Sequence, residues 1–482
     1  MRKIMLLFGV LALLGLSACS KDDKPEKPKD GKLWSIIKDN QGQNLINYSI
    51  ISEDGQAVRG AKVLIGDSLD TPFQNNILTA DDSGQFPIPT DWISPQSLTI
   101  DAPGFLRVTF LREAPIARQI IMHRSYPQST HELKGITTGH PLKDKDGFID
   151  FSLVMSTMSR QDLLNFDIGK FVSPQTDKIT VVGQPVELPS NASIPRQKES
   201  YLLPVTLEKP IYRLYFPEAG IQKIYASRAR FPFKKVVDGF RNNVPFYELI
   251  NDFEYYGGTV KDLAVLEPFN SADLNVSEFN FTEKRNVTAP NFAADLVNVG
   301  VTVADMNGYM IPTDIKRLNS GQTLPLTIYQ GHPVIVAQVL KRAAEFKVLN
   351  SSSSRLSAVI LPWAETTKSP AEFMGLIADP VKSSDYGFTL EIPQSPATVA
   401  PLATYLLLSD IDEAQKTVQR TWEVYSKEWV SDVRLPNWPT PGAALKKRVE
   451  VSFVGSLNGE NVDLGPKVIE AATHVTRSSA DY

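Results

Sequence analysis

Apolar and polar residues alternate with a period of two along most of this chain, in short runs separated by turn residues. Tyr48-Ser-Ile-Ile, Ala61-Lys-Val63-Leu-Ile65, Leu98-Thr-Ile100 and Ile120-Ile-Met122 open the pattern. Phe151-Ser-Leu-Val-Met, Lys178-Ile-Thr-Val-Val, Val205-Thr-Leu and Tyr212-Arg-Leu-Tyr-Phe continue it. Beyond Val260 strand character is almost unbroken, through 273–281, 299–303, 324–329, 334–340, 356–361, 388–392, 404–408, 418–425, 448–454 and 468–475. Successive side chains on a strand point to opposite faces, so this alternation predicts strands with one face in a core. One segment departs from it. Val236, Val237, Phe240, Val244, Tyr247, Leu249, Ile250 and Phe253 fall at spacings of three and four. They predict a helix near 236–253 that Pro245 splits and Gly257-Gly258 ends. The Pro-, Ser- and Asn-rich stretch 186–198 predicts a loop. The chain therefore reads as mainly β, in tandem sandwiches, with one or two short helices in its middle.

Composition supports this picture. The 34 prolines punctuate the apolar runs, which favours many short strands over long helices. Apolar residues at 42% and charged residues at 22% are ordinary for a globular chain. The length suggests roughly three folded units of about 150 residues each. A net charge of −4 spread over 482 residues argues against nucleic acid as the partner.

The N-terminus narrows the compartment. Arg2 and Lys3 precede an apolar run from Ile4 to Leu16, too short for a relaxed transmembrane helix and right for a signal peptide. The run ends in Leu16-Ser17-Ala18-Cys19, which resembles the lipobox of bacterial lipoproteins. The resemblance implies removal of residues 1–18, a lipidated Cys19 and attachment to a membrane through several acyl chains, enough for stable anchoring. Cys19 is the only cysteine, so no intramolecular disulfide forms and no thiol remains for catalysis. Ser20 follows in place of an inner-membrane retention aspartate, and Ser20-Lys21-Asp22-Asp23 resembles the acidic export tag of some surface lipoproteins. The expectation is the cell outer membrane, with the face of that membrane left open. The remainder of 19–43 alternates charge and proline and reads as a solvated tether.

The segment 44–124 resembles the carboxypeptidase regulatory-like (transthyretin-like) β-sandwich. The residues that carry the resemblance are Gly60-Ala61-Lys62-Val63, Thr79 to Ile88 with Gly84 and Phe86, and Ala102-Pro103-Gly104-Phe105. Met122 stands where the family more often ends in leucine. The resemblance implies a transthyretin- or Ig-like fold without catalytic residues. The expected organisation continues with a β-rich region over 125–260 containing the helix. A β-sandwich region follows over 261–482, with 350–354 and 410–413 as candidate internal boundaries.

Three groups of residues could carry chemistry. Asp144, Asp146 and Asp150, with Gly147 and Ile149, fall at inner positions of a calcium loop, but Leu142 and Leu153 occupy its two key carboxylate positions. Solvated aspartates on a strand-turn-strand are the favoured alternative. Between Lys209 and Arg241, eight cations face only Glu218 and Asp238 within a block rich in Tyr and Phe. Arg228, Arg230, Lys234 and Lys235 flank Phe231 and Phe233 there. They form a candidate site for anionic lipid or glycan phosphate, or else a set of guanidinium groups lying on rings. Trp422 and Trp429, with Tyr425 and Trp438, form either a sugar-stacking platform or a core cluster, and the strand-like alternation favours core.

No nucleophile elbow, His-Glu-x-x-His, Walker loop or dinucleotide fingerprint occurs, and the five histidines show no metal-ligand spacing. Neither a metal nor a cofactor is indicated. A glycosidase carboxylate pair would leave no spacing signal, because its members come from different strands. The expected function is a lipid-anchored envelope lipoprotein with a non-enzymatic binding or scaffold role toward an envelope protein or glycan. The alternatives are an envelope hydrolase acting on glycan or peptide and an accessory subunit of an outer-membrane transporter.

Overall fold

A computed structural model describes residues 37–38, 44–45, 47–67, 77–125, 130–140, 145–165, 175–181, 184–194, 198–204, 211–346, 354–367, 369–412, 417–438, 446–457, 459 and 462–482. Residues 1–18, Cys19, Asp144 and the run at Val205 lie outside these residues. The protein is mainly β, arranged in several sheets with a few short helices, as the alternation predicts.

The longest sheet has twelve strands. Across it, in order, run Tyr309–Leu318, Leu296–Met306, Val334–Arg342, Leu356–Pro362, His474–Asp481, Lys446–Ser456, Ala400–Asp412, Thr417–Ser426, Arg107–Glu113, Gln96–Asp101, Lys62–Ile65 and Leu78–Thr79. The join between Thr417–Ser426 and Arg107–Glu113 is its only parallel one, with Trp422 opposite Arg107 and Tyr425 opposite Phe110. The sheet thus runs from the last part of the chain directly into the first. Its opening hairpin turns on Asn307-Gly308, both at positive φ, between the paired Met306 and Tyr309. A two-residue Asn-Gly turn of this kind matches the right-handed twist of the strands it joins.

Smaller sheets cover both faces. Gln85–Pro87, Asn47–Ser52 and Gln119–Met122 close the first sandwich. Its core of Tyr48, Ile50, Val63, Phe86, Leu98 and Phe110 also takes in Tyr405, Leu407 and Tyr425 from the C-terminal strands. On the opposite face, Phe388, Leu390, Val433 and Trp438 pack on Leu406, Trp422, Val424 and Phe453. At the far end a seven-stranded sheet lies over Val299, Val301 and Ile311. A four-stranded sheet built on His131–Thr138 and Ile211–Phe216 covers that one in turn. Strands with one wet face alternate, as Ile211–Phe216 does between exposed and buried. Val334–Arg342 is covered on both faces and is buried at every position from Val334 to Lys341, so its sequence runs apolar without alternating.

Buried ion pairs fasten the first sandwich to the rest. His123 Nδ1 lies 2.8 Å from Glu423 Oε2, and Tyr405 Oη donates to Glu423 Oε1 at 2.8 Å. Burial pushes the Glu423 carboxyl up, yet His123 and the Tyr405 hydroxyl outweigh that and hold it below the ordinary range. Arg118 Nε reaches Glu113 at 2.6 Å while its Nη1 donates to the Leu464 carbonyl at 2.9 Å.

The helix expected over 236–253 forms as Phe233–Arg241, followed by Phe246–Leu249 and a 3-10 turn Ile250–Asp252. Pro245 is the N-cap of the second piece, so the break falls at that residue. Four sequence expectations need correction. Gly257 and Gly258 lie inside the strand Glu254–Val265 and end no helix. The predicted loop 186–198 is largely the strand Gln184–Ile194, which pairs with Gln175–Val181 and Lys198–Pro204. The predicted strand at 388–392 is only Gly387–Thr389. The run 468–475 begins in a short helix, Pro466–Glu470, and becomes strand only from His474.

Candidate functional site: a polar seam on the seven-stranded sheet

The strand Gly220–Pro232 runs between Phe148–Ser156 and Glu254–Val265. On one face it buries Tyr225, Ala229 and Phe231 in the main core. Arg228 and Arg230 occupy the other face, because positions two apart on a strand share a side. Register then assembles two polar rows. In the first, Asp150 pairs with Arg230 and Arg230 with Glu254, so a cation sits between two carboxylates. Arg230 Nη2 is 3.3 Å from Asp150 Oδ1, and its guanidinium carbon lies 5.4 Å from the centre of the Tyr256 ring. Glu254 is shared by Lys145, at 2.6 Å, and the Tyr256 hydroxyl. Burial alone would raise the Glu254 carboxyl, but these two partners hold it below its usual range. Burial, together with the hydrogen bond to Glu254, pushes the Tyr256 hydroxyl up to about 12.

In the second row, Arg228 pairs with Gly257 and Gly257 with Asn280. A Cβ on Gly257 would lie 2.0 Å from the Phe279 carbonyl oxygen, so only glycine lets the short strand Phe279–Asn280 come this close. That approach brings the Asn280 side-chain oxygen to Arg228 Nη2, which donates to it. On the other side, Ser152 falls opposite Arg228, between the Phe151–Ala229 and Val154–Ala226 pairs. His140 completes the seam. It follows Gly139, whose φ is +79°, just past the strand His131–Thr138, and its Nε2 lies 2.8 Å from Thr137 Oγ1. Burial pulls the His140 imidazole below its ordinary value, Arg228 adding to that effect and Asp150 opposing it. Arg228 is likewise lowered by burial, against a weaker opposing pull from Asp150.

Four polar atoms of this seam are buried without a hydrogen-bond partner of their own among the described residues: Ser152 Oγ, His140 Nδ1, Arg228 Nε and Arg230 Nε, although Arg230 keeps Asp150 through Nη2. Ser152 is fully buried and His140 is 6% exposed. Buried polar groups are nearly always paired, so four such atoms along one seam are unusual. Chemically the seam offers donors. Asp150 and Glu254 are spent on Arg230 and Lys145, while among the described residues Arg228 donates to the neutral Asn280 amide alone.

The other sequence-derived candidates separate. Lys234 and Lys235 lie exposed on the helix Phe233–Arg241, away from the two arginines, and Lys235 pairs with Asp252 at 2.7 Å. Of the calcium candidates, Asp144 lies outside the described residues. Asp146 is in an exposed turn, and Asp150 faces Arg230 from a strand, a position unsuited to a divalent cation. No group of three or more His, Cys, Asp or Glu with metal-site geometry occurs among the described residues. Trp422 is 8% exposed, donates to Thr109 Oγ1 at 2.9 Å and carries Arg107 on its ring at 4.9 Å, so it is core and not a sugar platform. Trp429 is half-buried with its Nε1 donating to the Val454 carbonyl at 2.9 Å, so it is also committed internally. Sequence reasoning missed His140, Ser152 and Asn280. Only Ser152 carried a signal, its two-residue offset from Asp150.

A second feature lies on the core side of the same sheet. Leu153, Met155, Met158 and Leu163 face Val301, Ile315, Ala337 and Ile360 across a small apolar cavity of about 30 Å³. Asp314 borders it, its oxygens accepting from the Thr327 and Ile315 amides at 2.7 and 2.9 Å. Burial raises the Asp314 carboxyl despite the nearby Lys316 ammonium.

The chain matches no known protein family, and no curated protein is similar to it.

Proposed function

We propose that this protein is a lipid-anchored lipoprotein of the cell outer membrane, held there through Cys19, with a non-enzymatic binding or scaffold role toward an envelope protein or glycan. The observation that carries the reading is Leu16-Ser17-Ala18-Cys19 directly behind a basic start and an uncharged apolar run. The residues from Cys19 to 43 then serve as the tether, and 44–124 as a carboxypeptidase regulatory-like domain. The twelve-stranded sheet supports the scaffold part. It gives the first sandwich and the C-terminal strands one hydrogen-bonded frame, on which surface patches keep a fixed spacing.

The test is capture of the protein from detergent-solubilised membranes beside a Cys19→Ala control, with fractionation of both. The expected result is membrane retention and an envelope partner only for the chain that keeps Cys19. A Cys19→Ala chain that still sediments with membranes refutes the anchor. Turnover of an envelope glycan or peptide without any partner refutes the non-enzymatic role and leaves the hydrolase.

A further inference from the structure

We infer that the seam formed by His140, Ser152, Arg228 and Asn280 is a binding site for an oxyanion, a phosphate or carboxylate group carried by an envelope ligand. The two arginines on this face do different work. Arg230 is neutralised by Asp150 at 3.3 Å and lies on Tyr256, so it belongs to the frame. Arg228 has no carboxylate in contact among the described residues, and its Nε is buried with no acceptor. Arg228 is half-buried, and a partly desolvated cation with no carboxylate in contact is favoured by an anion placed in the seam. Ser152 Oγ, on the neighbouring strand in the same row, is a second donor without an acceptor. His140 Nδ1 is a third orphan, and His140 lies within electrostatic reach of both Arg228 and Asp150.

A cation is excluded at this place by the guanidinium groups. An apolar ligand is excluded by the cost of leaving three polar atoms unpaired. An oxyanion satisfies all three: its oxygens accept from Arg228 Nε–H, from the Ser152 hydroxyl and from the His140 ring when Nδ1 carries the proton. Asn280 fixes the far side of the guanidinium, which orients Nε toward the seam. The inference stands independently of the anchor, since it concerns only residues of the folded region.

The experiment uses the full chain in detergent and follows thermal unfolding while inorganic phosphate or glucuronate is added, with sodium chloride at matched ionic strength as the control for screening. A saturable rise in Tm with phosphate alone identifies a phosphate-bearing ligand, and one with glucuronate alone an acidic sugar. Arg228→Gln is expected to weaken binding about tenfold, the loss of one charge-assisted contact. Ser152→Ala is the sharper variant, because removing an orphaned hydroxyl leaves the unliganded fold as stable or more so while weakening binding about threefold. Lys234→Gln, on the helix beyond the seam, leaves binding unchanged. The inference is overturned if neither anion raises Tm beyond the chloride control, or if Ser152→Ala and Arg228→Gln respond as the unmodified chain does.

Discussion

His474 is expected to make the fold acid-sensitive by an amount the structure allows us to work out. It begins the strand His474–Asp481, paired with Val359 on one side and Gly455 on the other, inside the twelve-stranded sheet. It is 2% exposed. Its Nε2 donates to the Glu372 carbonyl at 3.0 Å, and its Nδ1 accepts from the Thr473 hydroxyl at 2.8 Å. Both ring nitrogens are therefore matched to the neutral imidazole. Protonation would place a second N–H against the Thr473 hydroxyl and bury a charge. Burial accordingly pulls this imidazole down to about 4, the Glu372 carbonyl opposing only in part. In the unfolded chain the ring titrates near 6.5. Between these values the unfolded state binds more protons, so stability is complete above about pH 6.5 and falls as pH drops toward 4. The loss from this one group is about 1 kcal/mol at pH 5.5 and about 2–3 kcal/mol at pH 4.5. His474→Gln keeps a donor for the Glu372 carbonyl and does not titrate. Urea denaturation of both proteins over this range isolates the histidine, because every other group titrates alike in the two. The expected outcome is a stability difference that shifts toward the variant by those amounts as pH falls. A difference that stays constant from pH 7 to 4.5 would falsify the assignment of His474 as a buried neutral imidazole.

Other perturbations follow from the same contacts. Glu423→Ala leaves His123 and Tyr405 without their shared partner in the interior and should cost about 3–5 kcal/mol in urea unfolding; a loss under 1 kcal/mol would show that the clamp does not hold the first sandwich. The stability Glu423 supplies through His123 is present above the ordinary carboxylate range and is lost as pH falls through its depressed folded value. Gly135→Ala puts a Cβ 1.6 Å from the Ala272 carbonyl oxygen, so the middle region should lose at least about 2 kcal/mol, read as early proteolysis there. Trp422→Ala empties a core position and removes one of the two partners of the Thr109 hydroxyl, which keeps Thr99, with an expected cost of about 3–5 kcal/mol by calorimetry, whereas an exposed platform residue would cost almost nothing.

What could be read from the sequence, and what could not, divides by distance along the chain. Apolar patterning is a local signal, alternating in most strands and continuous in Val334–Arg342, and it located Leu296–Met306, Val334–Arg342, Leu356–Pro362, Ala400–Asp412 and Thr417–Ser426 to within a few residues. Pro245 broke the helix for a local reason, the missing amide and fixed φ of proline. The misreadings came where tertiary pairing overrode composition. Gln184–Ile194 carries proline and asparagine and still forms a strand, because two neighbours supply its hydrogen bonds. Gly257-Gly258 looks like a terminator but is needed where two backbones nearly touch.

The seam shows why the site was the least legible part. Arg228 and Arg230 stood out as charge within an aromatic block, yet nothing local distinguishes them. They differ only through the residues that register sets beside them. Asp150 arrives from about eighty residues upstream and neutralises Arg230, while Gly257 and Asn280 arrive from downstream and leave Arg228 with no carboxylate in contact among the described residues. A shift of one residue in the pairing with Phe148–Ser156 would exchange the faces, sending Asp150 and Ser152 into the core beside Phe231 and Phe253. The apolar alternation of Phe151, Leu153 and Met155, all buried in the main core, forbids that shift. The same residues that build the core therefore decide which arginine is left uncompensated. The seam's chemistry is a by-product of packing on the opposite face of the sheet.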